Sequence, residues 1–259
     1  MRVLLICPIP LEYTTCRSAR SLRDTQAVFG CRAARGAVGG VDIMAVESGP
    51  AKARAAAATM GAITVLQPDL VVDSGTCAAL DGDLIIGAVV LGAGCIEYDI
   101  SGTGLPRRLI AEMKLPSVLE LLPRRSGQEL GRSLTELGKD RGMHVRAGIQ
   151  ACGELLVQSV QVRESLHGVT GALAASWEPA GVFVAALRCG IPPLSIRAIS
   201  DLGDEDALRD FRRNARRSAG SLYRFLRDAI EAGWFATLHE MWKSAPRTHR
   251  ERLAEKVLP

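Results

Sequence analysis

The chain has 259 residues, 47% of them hydrophobic and 23% charged, with a net charge of +4. That is the make-up of a soluble globular domain with enough chain to bury a core, and it excludes a disordered, collagen-like or disulfide-stapled protein. Aromatics are only 4%, so the core must be built from Ala, Val, Leu and Ile, and neither base-stacking material nor a strong basic excess points to nucleic acid or a membrane surface.

In chain order, Val3–Cys7 predicts a first buried strand and Val41–Val46 a second. Pro50–Gln67 is Ala-rich without an internal breaker and predicts a helix that Pro68 ends. Leu70–Gly75 reads as a buried strand, and Leu84–Ile100 carries another, with Gly92 and Gly94 permitting a bulge. Leu109–Leu122 and Gly127–Gly142 look helical, separated by the sequence PRRSG. Then follow a strand (Val145–Ala151), a short helix (Gln161–His167), a strand (Ala172–Trp177), a helix (Ala180–Cys189) and a last strand (Leu194–Asp201). From Ala207, apolar residues including Leu208, Phe211, Ala215, Leu222 and Phe225 recur at helical steps. They predict an amphipathic helix of about six or seven turns. The arginines between them, such as Arg209, Arg212, Arg213 and Arg216, read as its solvated face. Residues 236–259 read as a charged extension, a short helix plus a tail, after a single domain over 1–235. Strands alternating with helices predict a three-layer α/β/α domain around a central mixed, largely parallel sheet.

Seven cysteines at wide spacings, without a C-x-x-C pair, read as free thiols of a reducing compartment. The four histidines show no metal spacing. The first residues lack the long apolar stretch and cleavage site of a signal peptide, and no run of about 18 apolar residues suggests a membrane span. A cytoplasmic location without membrane partners is the expectation.

In α/β folds, sites collect at strand ends. Four carboxylates are expected there: Glu12, Asp73, Glu178 and Asp201. One such carboxylate is ordinarily a helix cap or an ion-pair partner. Four, with Arg197 nearby, suggest a shared cleft. The fragments that contain them are more specific in their order: an early Glu12, SGPAK (48–52), QPDLVVDSGTCAALDGDLIIGAVV (67–90), Gly153-Glu154, SWEPA (176–180) and RAISD (197–201). This order resembles the nucleoside phosphorylase/nucleosidase superfamily and, within it, the methylthioadenosine/S-adenosylhomocysteine nucleosidases.

The resemblance implies a homodimer that cleaves the bond between a purine and a ribose, a chemistry that needs no cofactor or metal; the modest net charge and the lack of a recognition motif set a nucleic-acid partner aside. It places Asp201, with Ser200 beside it, at the purine edge to help protonate N7. Glu178 would hold the ribose hydroxyls. Glu12 would position and deprotonate the attacking water, with Arg197 and Thr76 nearby. Leu156 and Val157 would pack against the base, and Trp177 would line the substrate site. The residue types suit the chemistry: the sugar gains positive charge as the bond breaks and the leaving base gains negative charge. An acid at the base and carboxylates at the sugar answer both. This chain departs from the family at Ser176-Trp177-Glu178, where a Glu-Met-Glu stretch is common. It departs also at Thr76-Cys77-Ala78-Ala79 in place of a Gly-rich turn, at Leu156 in place of an aromatic, and at Pro50 near the 5′-substituent. Phosphorolysis, a futalosine-type substrate and a nucleoside-binding paralogue without turnover are the alternatives. Pro8 and Pro10, which lack N–H groups, and the charge of Glu12 favour water over phosphate.

Overall fold

A computed structural model of the chain describes residues 1–99 and 114–246. Strand β1 (Arg2–Cys7) is apolar at successive positions because both of its faces are covered. Val3, Leu5 and Cys7 join a core cluster with Tyr13, Tyr223 and Phe225. Leu4 and Ile6 point the other way, into a cluster with Ala55, Ala58, Val182 and Ala186. That alternation sets the three layers.

Helix α1 (Pro10–Ala19) follows directly. The prolines around it read as breakers, yet Pro10 is the first helical residue, where a missing N–H costs nothing. A hairpin edge comes next, β2 (Arg23–Asp24) with β3 (Ala33–Val38), and neither strand has an apolar run to announce it. Strand β4 (Val41–Glu47) and helix α2 (Lys52–Leu66) lie where expected. Strand β5 runs from Leu70 to Ala79. The segment 76–79, expected as a turn, is therefore strand, and Asp73 sits in mid-strand rather than at an end. Strand β6 (Val89–Glu97) has its register shift between Gly92 and Gly94.

Of the helix expected over 109–122, residues 109–113 lie outside the described residues. The rest is strand β7 (Leu115–Pro116) and one turn of helix, α3 (Val118–Leu121), capped by the Ser117 hydroxyl. Helix α4 (Arg124–Asp140) begins inside the PRRSG stretch, so that stretch is a helix start rather than a separator. Strand β8 (Val145–Cys152), helix α5 (Val160–Thr170), strand β9 (Ala174–Ser176), helix α6 (Pro179–Arg188) and strand β10 (Pro193–Asp201) follow within a few residues of expectation. Helix α7 (Ala207–Glu231) is the long amphipathic helix, and α8 (Trp234–Ser244) completes the described chain. Helix α8 straddles the expected boundary at residue 235, and Trp234, Phe235, Leu238 and Trp242 bury its apolar face in the core. Residues 247–259 of the expected tail lie outside the described residues.

The sheet order is β10-β6-β8-β9-β5-β1-β4-β3-β2, and β10 also pairs with β5. Strands β5, β10, β6, β8 and β9 thus close on themselves, and β1, β4, β3 and β2 fan out from β5. Parallel pairs join β4, β1, β5 and β10 in sequence, whereas β3–β4, β5–β9 and β6–β10 are antiparallel. Pro8 and Ile9 after β1, Thr76, Cys77 and Ala78 in the last half of β5, Trp177 and Glu178 after β9, and Ser200 and Asp201 at the end of β10 line one cleft. Among the described residues no helix is long and apolar enough to cross a membrane.

Candidate active site

Glu12 occupies the third position of α1, just past the end of β1. Its Oε2 accepts from the Ile9 N–H at 3.2 Å, which closes the first turn. Its Oε1 accepts from both the Thr76 N–H (2.7 Å) and the Thr76 hydroxyl (2.8 Å). Gly75 makes room for this: a Cβ there would stand 2.7 Å from Glu12 Oε1. Burial pushes the Glu12 carboxyl up to about 7, against the pull of Arg197 and the Thr76 N–H, with Glu178 adding repulsion.

Arg197, from β10, lies beneath the same cleft and is 1% exposed. Its Nε and Nη2 clamp Asp73 Oδ2 and Oδ1 at 2.7 and 2.6 Å. Nη2 also donates to Glu178 Oε2 at 2.9 Å, and Nη1 to the Thr76 carbonyl at 2.8 Å. Burial disfavours the guanidinium charge, and Asp73 and Glu178 overcome that, raising its affinity for the proton well above the ordinary value. The Ser195 hydroxyl supports Asp73 Oδ2 at 2.6 Å.

Glu178 follows β9 and opens α6, with Pro179 at the first helical position. Its second oxygen, Oε1, accepts from the Ala51 N–H at 3.1 Å. Ala51 aims that N–H by adopting φ 81° and ψ 156°, a region that strains any residue with a Cβ. The loop 49–52 also lies tight on α6, since a Cβ on Gly181 would stand 2.2 Å from the Lys52 carbonyl oxygen. Burial raises the Glu178 carboxyl above its ordinary value; Arg197 opposes the shift and Asp73 adds to it.

Asp201 ends β10. Its Oδ2 accepts from the Ser200 hydroxyl at 2.9 Å and its Oδ1 from the Gly203 N–H at 3.3 Å. Burial lifts it to about 6, those two hydrogen bonds hold it down, and Asp210 and Asp204 push it further up.

All nine expected site residues line one cleft of about 210 Å³: Glu12, Thr76, Leu156, Val157, Trp177, Glu178, Arg197, Ser200 and Asp201. Pro50, Ser176, Cys77 and Ala78, noted for departing from the family, line it too. Sequence reasoning missed Ile9, Tyr98, Leu208 and Phe211 on the apolar wall. Phe211 and Leu208 carry the helical period of α7, which marks a core face, and nothing local shows that the first turn of that face meets a cleft. Asp73 was singled out, but it is fully buried and reaches the cleft only through Arg197. Cys77 is buried, and burial pushes its thiol up, away from a thiolate nucleophile. Among the described residues no group of three or more His, Cys, Asp or Glu could hold a metal.

The fold thus gathers Glu12 from α1, Glu178 from just after β9 and Asp201 from the end of β10 around one mostly apolar cleft. The chain belongs to the phosphorylase superfamily, whose model matches residues 2–231. A 5′-methylthioadenosine/S-adenosylhomocysteine nucleosidase of Geobacillus thermodenitrificans is 23% identical over 218 residues, covering 80% of this chain and 86% of the relative. The solved nucleosidase of the same name from Helicobacter pylori, with butyl-thio-DADMe-Immucillin-A, superposes with a TM-score of 0.78 at 20% identity, covering 90% of this chain and 98% of the other. The futalosine hydrolase of the same organism gives 0.77 at 20% identity, with the same coverage.

Proposed function

We propose that this chain hydrolyses the N-glycosidic bond of a 5′-substituted, adenosine-type purine nucleoside, releasing the free base and a ribose derivative. The convergence of Glu12, Glu178 and Asp201 on one cleft carries this reading. As the bond from C1′ to the purine breaks, its electron pair goes to the base, and Asp201 gives a proton to N7. The sugar becomes cationic, and Glu178 holds its hydroxyls. Water adds to C1′ and loses its proton to Glu12. Acid–base help of this kind is worth about 10²–10⁴ in rate per group. Leu156 and Val157 flank the base. Ile9, Pro50, Trp177, Leu208 and Phe211 supply an apolar wall that suits an apolar 5′-substituent.

Water is favoured over phosphate by one detail. Phosphate needs free backbone N–H groups and hydroxyls. The Thr76 N–H and hydroxyl are both taken up by Glu12, and the carboxylate repels an anion. Incubation with 5′-methylthioadenosine, S-adenosylhomocysteine, deoxyadenosine and futalosine, with and without phosphate, tests the proposal. Free base and unphosphorylated sugar in phosphate-free buffer are expected. Strict phosphate dependence would make the chain a phosphorylase, and tight binding without base release over hours would make it a binding protein.

The homodimer is proposed on the outer face of α2, where Met60 and Val65 are exposed beside Phe29, itself 74% exposed. An apolar face of that kind is a contact surface. Sedimentation should give twice the 27.7 kDa chain mass, and a monomer at micromolar concentration would refute it. Seven unpaired thiols suit the reducing cytoplasm.

A further inference from the structure

Arg197 poses an electrostatic problem for the proposed reaction. The sugar must become cationic, yet a buried guanidinium lies beneath the same cleft and donates directly to Glu178. A one-to-one pair of Arg197 with Glu178 would be neutral and would offer the cation little. The second carboxylate on Arg197 changes that sum. Asp73 takes Nε and Nη2 in a two-pronged clamp at 2.7 and 2.6 Å, closer than the 2.9 Å contact to Glu178. This fork-to-fork geometry is the strongest that a guanidinium makes. Asp73 is itself fully buried, braced by the Ser195 hydroxyl, and contacts the cleft only through Arg197.

We propose that Asp73 is a positioning residue that occupies the guanidinium fork of Arg197 and cancels its charge, so that Glu178 faces the sugar with its negative charge uncompensated. The inference rests on the nucleosidase reading. Two carboxylates and one guanidinium leave this cluster at a net charge of −1, and an ionised Glu12 adds to it. The same clamp fixes the direction of the guanidinium. With the fork filled, only the second N–H of Nη2 reaches Glu178, and Nη1 is drawn to the Thr76 carbonyl. Were the fork empty, Glu178 would be the nearest carboxylate to fill it and would turn away from the substrate.

A purely structural Asp73 would neutralise a buried arginine and do no more. Its loss would lower stability, and all ligands of one shape would then bind the surviving folded protein alike. The proposal differs, because loss of Asp73 should penalise cationic ligands selectively. The probes are methylthio-immucillin-A, whose sugar-ring nitrogen carries a proton, and its neutral counterpart with oxygen in that ring, both titrated by calorimetry. The wild-type chain should bind the cation at least about tenfold more tightly. One unit charge a few ångströms away in a partly shielded site is worth roughly a tenfold to hundredfold change in affinity. Asp73→Asn should therefore weaken the cation by about tenfold or more and the neutral ligand by less than about threefold. Equal weakening of both, or of neither, overturns the proposal.

Removing one half of a buried pair is more disruptive than replacing both. If Asp73→Asn does not fold, the double variant Asp73→Asn/Arg197→Met decides. It restores the net charge of −1 through Glu178 alone and should keep the preference for the cation. A double variant that folds and has lost that preference overturns the proposal. A wild-type chain that binds neither probe and releases no base overturns the nucleosidase reading and takes this inference with it. Base release without any preference for the cation overturns the inference alone.

Discussion

The two carboxylates proposed to handle protons in the cleft are held in different ways. Asp201 is held by its own segment: the Ser200 hydroxyl, the Gly203 N–H and the nearby Asp204 and Asp210 account for its environment beyond burial. Glu12 takes one local donor, the Ile9 N–H, but is held chiefly by remote chain: Thr76, 64 residues away, supplies two donors, and Arg197 and Glu178 supply opposing charges. Both are buried, and burial lifts both, to about 6 and about 7. What differs is how easily each could be recognised. A carboxylate held by its own segment can be seen in a short motif such as RAISD, whereas one held by remote donors has to be inferred from the whole arrangement.

The largest effect should come from removing each proton-handling group. Asp201→Asn and Glu12→Gln are each expected to lower kcat by about 10² or more, with smaller changes in KM. Near-normal turnover in either variant would show that its role is misassigned. Single-turnover base release, normalised to folded protein, is the measurement.

The pH profile sharpens the comparison. Glu12 must be ionised to accept a proton, so the rate rises as pH climbs toward about 7. Asp201 must be protonated to donate, so the rate falls as pH climbs past about 6. Because the base titrates above the acid, the working form is a minority at every pH. The profile of kcat/KM should be a bell with a flat top between the two values. Asp201→Asn should abolish the fall on the alkaline side and let the rise, which levels off near about 6 in the wild-type chain, continue to about 7. A bell that survives unchanged in that variant would assign the alkaline limb elsewhere.

The smallest effect concerns the strained loop that serves Glu178. Ala51→Gly relieves the φ of 81° and should stabilise the fold by about 1 kcal/mol, or roughly 2–4 °C in Tm. Activity should hold, since the N–H to Glu178 is kept. A fall in Tm would show that chain entropy outweighs the strain.

Much of the fold could be read from local pattern. Strands β1 and β4 are largely apolar runs, β10 alternates apolar and polar residues over 194–198, and α7 shows its period plainly. Helix α1 was hidden because Pro8 and Pro10 suggest a break, although Pro10 in fact starts the helix. Strand β3 was hidden because AARGAV carries no apolar run and a single β-branched residue, Val38, at its end. Seven of the nine candidate site residues lie in the fragments that carry the resemblance, Leu156 and Val157 lie outside them, and the cleft gathers all nine. Asp73 illustrates the limit: its position near other carboxylates was visible, but its engagement with Arg197, 124 residues away, was not.

The sequence by itself determined the apolar runs, the α/β alternation and the chemical types available at each strand end, because these follow from periodicity and side-chain chemistry. Tertiary structure alone decided which charges share a cavity and which cancel. Coulombic interaction depends on distance and on removal of water, and neither is encoded in spacing along the chain. Pairing β10 beside β5 is what sets Arg197 against Asp73 and Glu178, and so gives the cleft its charge.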